Sequence, residues 1–382
     1  MIGFDTFVVV DWSASATPSP RKPSKDAIWI ATAREGGVTC DYHRTRHSAQ
    51  DALAMLFTQE LAAGRRVLAG FDFPFAYPKG FADTVVGSQD PLAVWDWLMA
   101  EIADAPDNAN NRFDVARRLN SLFPGIGPFW GCPAGTGDAI LPDKGTARTN
   151  HGLPERRAVE ELIKTTQPCW KLFTTGSVGS QALLGIPRLQ ALRKQFGADL
   201  TVAPFEPPDG ALVLAEVFPS LLSDVIESGR TTREIKDRAQ VRILAETLSR
   251  LSANDLDRML RKGDTIEGWI LGVGDDAVLR AASPLTPPPL RNDCFALPTG
   301  VDWIPVDTAL AHLKSSMHVQ TGVQTVPLMA AAGRVLAHDV TALRSNPPHP
   351  NTAVDGYGFS GGRDVGHHTL SLIKESATAG AI

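Results

Sequence analysis

Three acidic residues each close an apolar run: Asp11 after 7–10 (Phe-Val-Val-Val), Asp72 after 67–71 (Val-Leu-Ala-Gly-Phe) and Glu216 at the end of 211–216 (Ala-Leu-Val-Leu-Ala-Glu). A fourth, Glu267, follows Asp264 by three residues. Runs of this kind read as strands, and neighbouring strands deliver their last residues to a common sheet edge. Four carboxylates gathered there would raise one another's pKa, and a divalent cation, Mg2+ or Mn2+, keeps such a group ionised. Two such ions roughly 4 Å apart activate a water and stabilise a leaving oxygen, which is the chemistry of phosphoester hydrolysis. The plainer role for any one of these acids is that of a cap or turn residue. Lys236, Arg242, Arg148, Arg156 and Arg157 offer cations that can hold a phosphate, against the commoner role of solvated surface charge. The glycine-rich stretch 125–137 lacks the Gly-Lys-Ser/Thr ending of a phosphate loop. Nine histidines without ligand spacing and four cysteines without a Cys-x-x-Cys pair speak against a zinc site or a disulfide framework.

The elements that must position these acids follow from periodicity. Segments 6–10, 27–32 and 37–42 are rich in β-branched and aromatic residues and read as an antiparallel meander. Leu53, Leu56, Phe57 and Leu61 recur at helical spacing before a stop at Gly64, and a strand returns at 66–71. Residues 73–210, rich in Gly, Pro and Trp, read as a long insertion with short helices at 91–102 and 159–164. Segment 211–217 reads as a strand buried on both faces. Thr231 and Glu234 form a capping box for a helix whose face carries Val241, Leu244, Leu248 and Leu251, and a last helix is expected over 264–282 with Glu267 on it. A proline-rich linker over 283–300 then divides a first domain, 1–282, from a second segment, 301–382.

The chain has 382 residues, a net charge of −5 and 43% hydrophobic residues, which excludes disordered, collagenous and coiled-coil classes and gives no global field toward nucleic acid. No apolar run approaches the ~20 residues of a membrane span. The N-terminus lacks the pattern of a secretory signal, so a cytoplasmic protein with no membrane partner is expected.

Two resemblances sharpen this reading. Segments 8–13 (Val-Val-Val-Asp-Trp-Ser), 70–75 (Gly-Phe-Asp-Phe-Pro-Phe), 215–219 (Ala-Glu-Val-Phe-Pro) and 264–268 (Asp-Thr-Ile-Glu-Gly) resemble, in order, the blocks of a predicted-nuclease branch of the RNase H-like superfamily. That resemblance implies an α/β fold with a mixed five-stranded sheet of order 3-2-1-4-5 flanked by helices. It implies metal-binding acids matching Asp11, Asp72 and Glu267, with Glu216 as a further candidate. Glu267 stands where Asp is usual, and the segment 177–187 is similar to a block read as a substrate-side loop.

Beyond the linker, a short helix at 306–313, a second helix within 325–340 and the loop 347–357 resemble the N-terminal part of MoeA, the molybdopterin molybdenumtransferase family. Segment 351–357 (Asn-Thr-Ala-Val-Asp-Gly-Tyr) keeps Asn351, Asp355, Gly356 and Tyr357 at that family's spacing, and Asp355 falls on its active-site aspartate. The resemblance implies a role in placing molybdate or molybdopterin, and homodimers. The later blocks of that family are missing before residue 382, so the segment reads as a partial MoeA-type domain from a longer fusion, or as a docking element.

Together these readings give a molybdenum cofactor biosynthesis protein: an RNase H-like, metal-dependent hydrolase domain fused to a partial molybdenumtransferase. Asp11, Asp72, Glu216, Glu267 and Asp355 are its candidate catalytic residues. Lys236, Arg148, Asn351, Gly356 and Tyr357 are candidates for binding a phosphorylated small molecule or molybdopterin species. The alternatives are a Mg2+/Mn2+-dependent nuclease or phosphoesterase, for which a basic groove beside Asp11 would speak, and a non-catalytic RNase H-like scaffold.

Overall fold

Strand β1, Thr6–Asp11, is β-branched almost throughout and buried on both faces, as befits the centre of a sheet. It pairs antiparallel with β2 (Ile28–Arg34), which pairs antiparallel with β3 (Gly37–His43). On its other side β1 runs parallel to β4 (Val67–Phe71), and β4 runs parallel to β6 (Leu212–Glu216). A short strand, β5 (Leu200–Val202), completes the edge in parallel with β6. The computed structural model thus holds a mixed α/β architecture with six strands in the order β3-β2-β1-β4-β6-β5. Five strands were expected; the sixth comes from the end of the long insertion.

The structure describes residues 3–231, 233–284, 306–317, 321–348, 359, 361 and 364–373. The chain divides into two units, 1–304 and 305–382.

In the first unit, alternation along the strands builds two cores. One face carries Val8 and Val10, Ala69 and Phe71, and Leu212 and Leu214. Against it lie α1 (Arg46–Ala62), α2 (Phe81–Val86), α3 (Pro91–Glu101), α4 (Arg112–Asn120) and α6 (Val178–Phe196), which contribute residues such as Phe57, Phe81, Trp95, Leu119 and Leu183 to the same core. The one-turn α5 (Ala158–Glu161) belongs to the same insertion. Among its aromatic residues Phe73 is tilted against Phe75, and Tyr77, Phe81, Phe129 and Trp170 pack together through tilted and edge-to-face contacts, with Tyr77 stacked on Trp170. The other face carries Phe7, Val9, Leu68, Val213 and Ala215. It is covered by α8 (Lys236–Ser249) and by buried residues of α7 (Ser223–Gly229), α9 (Ala253–Leu260) and α10 (Asp276–Ala282). Val241, Leu244, Leu248 and Leu251 are all buried there, as their spacing required.

Several local expectations are corrected. Segment 177–187 is no loop: it opens the 19-residue helix α6, whose Gly185 lies so close to Phe73 that a Cβ would stand 2.3 Å from its ring. Thr231 and Glu234 do not cap α8, which begins at Lys236. Glu234 Oε2 accepts from the Thr231 amide at 3.4 Å, and the carboxylate reaches forward to pair with Arg238 and Arg242. The expected last helix is split, because Asp264 Oδ1 accepts from the amides of Ile266 and Glu267 and makes a turn, so that helix begins only at Asp276.

In the second unit, α11 spans Val306–Ser316 with none of its residues buried. The helix expected within 325–340 is reduced to one 3-10 turn, Leu328–Ala330, and Val335 and Leu336 are exposed. Those apolar residues find nothing within the described part of the unit to pack on, and propensity alone does not hold a short helix in water. Asn351, Asp355, Gly356 and Tyr357 lie outside the described residues.

Candidate functional site

Strand register brings two of the four sequence-selected acids together. Val10 pairs with Phe71, so Asp11 and Asp72 stand side by side one residue further on, at the carboxyl edge of β1 and β4. The Asp72 amide donates to Val10 O at 3.2 Å, and Asp72 Oδ1 accepts from the Trp12 amide at 2.7 Å, which fixes the carboxyl against the end of β1. Both side chains are only partly exposed. Burial, followed by the charge of Asp72, pushes the Asp11 carboxyl well above the usual carboxylate range. Burial likewise raises Asp72, to about 7. The two side chains lie within hydrogen-bonding reach, and a pair of half-buried carboxyls this close retains a proton into the neutral range.

A third carboxylate approaches from a residue the sequence reading passed over. Asp237 sits in the first turn of α8, where the helix dipole favours negative charge, and its charge acts on both Asp11 and Asp72. Its Oδ2 accepts from the Asp26 amide at 2.7 Å, and burial raises its own pKa. Lys236, one residue earlier and exposed, opposes that rise. The clue lay in the helix: α8 packs on the face that carries Phe7 and Val9, to which Asp11 belongs by alternation, so acids in its first turn approach the strand ends.

Glu216 and Glu267 go elsewhere. Glu216 pairs with Phe71 rather than with Asp72, and this one-residue offset sends its side chain to the opposite face. There it takes both Nη atoms of the buried Arg157, at 2.6 and 2.7 Å, and the Phe75 amide at 3.1 Å. Arg157 Nε also donates to Glu160 at 2.8 Å. Glu267, buried, accepts from the Lys79 amide at 2.8 Å and the Ala158 amide at 2.6 Å, while Arg157 donates to its carbonyl oxygen. These two acids therefore clamp the insertion to the sheet, and the expected group of four carboxylates is two separate pairs. Among the described residues no three potential ligands stand close enough to enclose a metal ion. Asp11 and Asp72 still suit Mg2+ or Mn2+, which take one or two carboxylates and complete their shell with water and substrate oxygens.

The candidate phosphate-binding cations of the insertion are engaged internally. Arg148 pairs with Glu155 at 2.9 Å and donates to the carbonyls of Gly145 and Pro128. Arg156 binds Thr166; outside the insertion, Arg242 of α8 is likewise engaged, by Glu234. A cleft of about 750 Å3 lies at the amino end of β1, bordered by Asp5, Arg34, Glu60 and Arg65. Its buried acid, Glu60, is saturated by Thr6, Arg34 and Arg65 and held down to about 2, chiefly by its bond to Arg65. It is charge-balanced where Asp11 and Asp72 are not.

Comparison with known proteins reaches only the second unit: residues 304–381 match the family model of the MoeA N-terminal region, domains I and II. That match is consistent with involvement in molybdenum cofactor biosynthesis. No curated protein and no solved structure matches the chain. No helix among the described residues is long and apolar enough to cross a membrane.

Proposed function

We propose that the first unit is a divalent-cation-dependent phosphoester hydrolase of RNase H-like architecture, acting on a phosphorylated small molecule in molybdenum cofactor biosynthesis. The observation that carries the reading is the convergence of Asp11 and Asp72, with Asp237 beside them, at one sheet edge with too little positive charge to balance them. The strand order β3-β2-β1-β4-β6 agrees with the sheet the resemblance implies, with an extra edge strand. The molybdenum cofactor assignment rests on the match over 304–381. A small substrate is favoured over nucleic acid because Arg148, Arg156 and Arg157 are tied up inside the insertion rather than lining a groove.

In this reading Asp11 and Asp72 hold the cation, which supplies Lewis-acid stabilisation of a phosphoryl oxygen and a more acidic water. The Trp12 amide keeps Asp72 oriented, and the Asp26 amide holds the Asp237 carboxyl in place near them. Lys236 is placed to attract an anionic substrate.

The test is a calorimetric Mn2+ titration of the full chain. Binding is expected in the parent, weakened at least about tenfold by Asp11→Asn or Asp72→Asn and less by Asp237→Asn. Absence of binding in the parent, or binding that survives both strand-end substitutions, would sink the reading. A parent that binds Mn2+ is then screened against phosphomonoesters and diphosphates, with release of phosphate as the readout.

A further inference from the structure

The loop that joins β1 to β2, residues 12–27, contains no helix or strand, yet its backbone is held along its length. The buried Arg46 donates from Nη1 to the carbonyls of Ser13 and Ser15, at 3.1 and 2.7 Å. Arg44 Nε donates to Ser19 O at 2.6 Å, the Tyr42 hydroxyl to Pro20 O at 2.8 Å and Trp29 Nε1 to Ser24 O at 3.2 Å. Near its end Ser13 Oγ donates to Asp26 O at 2.9 Å, and the Asp26 amide donates to Asp237. Loops of more than about 12–15 residues without secondary structure are uncommon in compact domains and usually carry function. Here four side chains spend their donors on fixing the loop, so a ligand that binds it does not have to order it.

Charge is what the loop leaves free. Arg21, Lys22 and Lys25 are exposed, and their side chains have neither an ion pair nor a hydrogen bond among the described residues. The same is true of Arg233 and Lys236 at the start of α8, which the bond between Asp26 and Asp237 joins to the loop. Among the described residues of the first unit only Lys144 and Lys164 share this condition; every other lysine and arginine is engaged by a side chain or a backbone oxygen. The unspent cations therefore concentrate in two segments that meet beside the acidic pair. Asp11 stands opposite Trp29, and Trp29 opposite Tyr42, whose hydroxyl holds Pro20 and lies 3.3 Å from Ser24 Oγ, on either side of Arg21 and Lys22. Two strand spacings put Tyr42 roughly 10 Å from Asp11.

We infer that the β1–β2 loop and the start of α8 form the anion-binding side of the site, and that its substrate is a small molecule with two phosphate groups rather than one. One phosphate meets the cation at Asp11 and Asp72, and the other is held by Arg21, Lys22, Lys25, Arg233 and Lys236. The inference rests on the reading of Asp11 and Asp72 as the reacting centre. A small molecule fits better than a polynucleotide, which needs a basic track that continues past the site. On the opposite sheet face Arg157 is consumed by Glu160 and Glu216, and Lys144 and Lys164 are single charges in the insertion.

The experiment is calorimetric titration of the full chain, in metal-free buffer of low ionic strength, with pyrophosphate, inorganic phosphate and a short single-stranded oligonucleotide. Pyrophosphate is expected to bind the parent more tightly than phosphate does, and added salt to weaken it, as exposed charges require. The combined variant Arg21→Ala, Lys22→Ala, Lys25→Ala should bind it at least about tenfold more weakly. The combined variant Lys144→Ala, Lys164→Ala, which removes free cations elsewhere, should bind it within about twofold of the parent, because a distant exposed charge is screened. Both variants replace exposed side chains without partners and should melt as the parent does. Pyrophosphate binding in a parent that ignores Mn2+ upholds the anion-binding surface and sinks only the metal reading of Asp11 and Asp72. A parent that ignores pyrophosphate, or a Lys144/Lys164 variant as impaired as the loop variant, overturns the inference. So does an oligonucleotide that binds more tightly than pyrophosphate through the same loop residues, since the ligand is then a nucleic acid.

Discussion

Asp11 and Asp72 differ from the other buried acids in what neutralises them. Glu216 has Arg157, and Glu60 has Arg34 and Arg65, whereas the strand-end pair has one backbone amide and a third carboxylate. The consequence is a pH dependence of fixed sign. An acid held at about 7 in the folded state and near 3.9 in the unfolded chain binds more protons when folded, so its presence costs stability progressively as pH rises from about 4 to about 7. Asp72→Asn, which mimics the protonated form, should therefore raise the unfolding free energy at pH 8, by on the order of 2 kcal/mol after allowance for partial exposure, and with it the melting temperature, and change both little at pH 4. Glu60 has the opposite slope: its stabilising bonds are lost as pH falls below about 4.5 toward 2. Thermal melts of both proteins across pH 3–9 check both signs. Glu216→Gln removes a charge that Arg157 needs and should cost about 3–5 kcal/mol in a denaturant titration, without touching Mn2+ binding if the metal reading of Asp11 and Asp72 is right.

At the level of elements, α6 and α8 decide what the sheet edge can do. α6 presents Gly185 to Phe73, and a methyl there has no room: Gly185→Ala should destabilise by about 1–3 kcal/mol although alanine is the better helix former, as a chemical melt would register. The outcome would be the reverse if residues 177–187 were the loop that the sequence suggested, where such a methyl is tolerated. α8 is joined to the preceding turn by Glu234, which grips Arg238 and Arg242. That grip orients the first turn and with it Asp237. The helix itself was legible from Val241, Leu244 and Leu248. Its start was not, because Thr231 and Glu234 satisfy the capping-box spacing equally well when the glutamate turns toward two arginines further along. The turn at Asp264 was missed for a related reason: an aspartate two and three residues before free amides competes with helix formation, and spacing alone does not say which wins.

For the whole molecule, the described residues that build the two cores of the first unit run no later than Ala282. Removing residues 305–382 should therefore leave a cooperative calorimetric transition near that of the full chain. A lost or greatly broadened transition would contradict the division of the chain at residue 304. The second unit has the opposite character, with α11 and the segment around Val335 exposing apolar side chains. The sequence by itself determined that β1, β4 and β6 are strands, that the helix over 236–249 is amphipathic, and that the segment 301–382 resembles the MoeA N-terminal region, which a family model matches over 304–381, because each is written in short-range periodicity or in a contiguous motif. Only the tertiary structure decided which acids meet. A strand's side chains change face at every residue, so the one-residue register between Phe71 and Glu216 sends that acid to Arg157, while a helix packed on the other face brings Asp237 in from more than two hundred residues away; neither pairing register nor long-range packing is encoded in the spacing of any one segment.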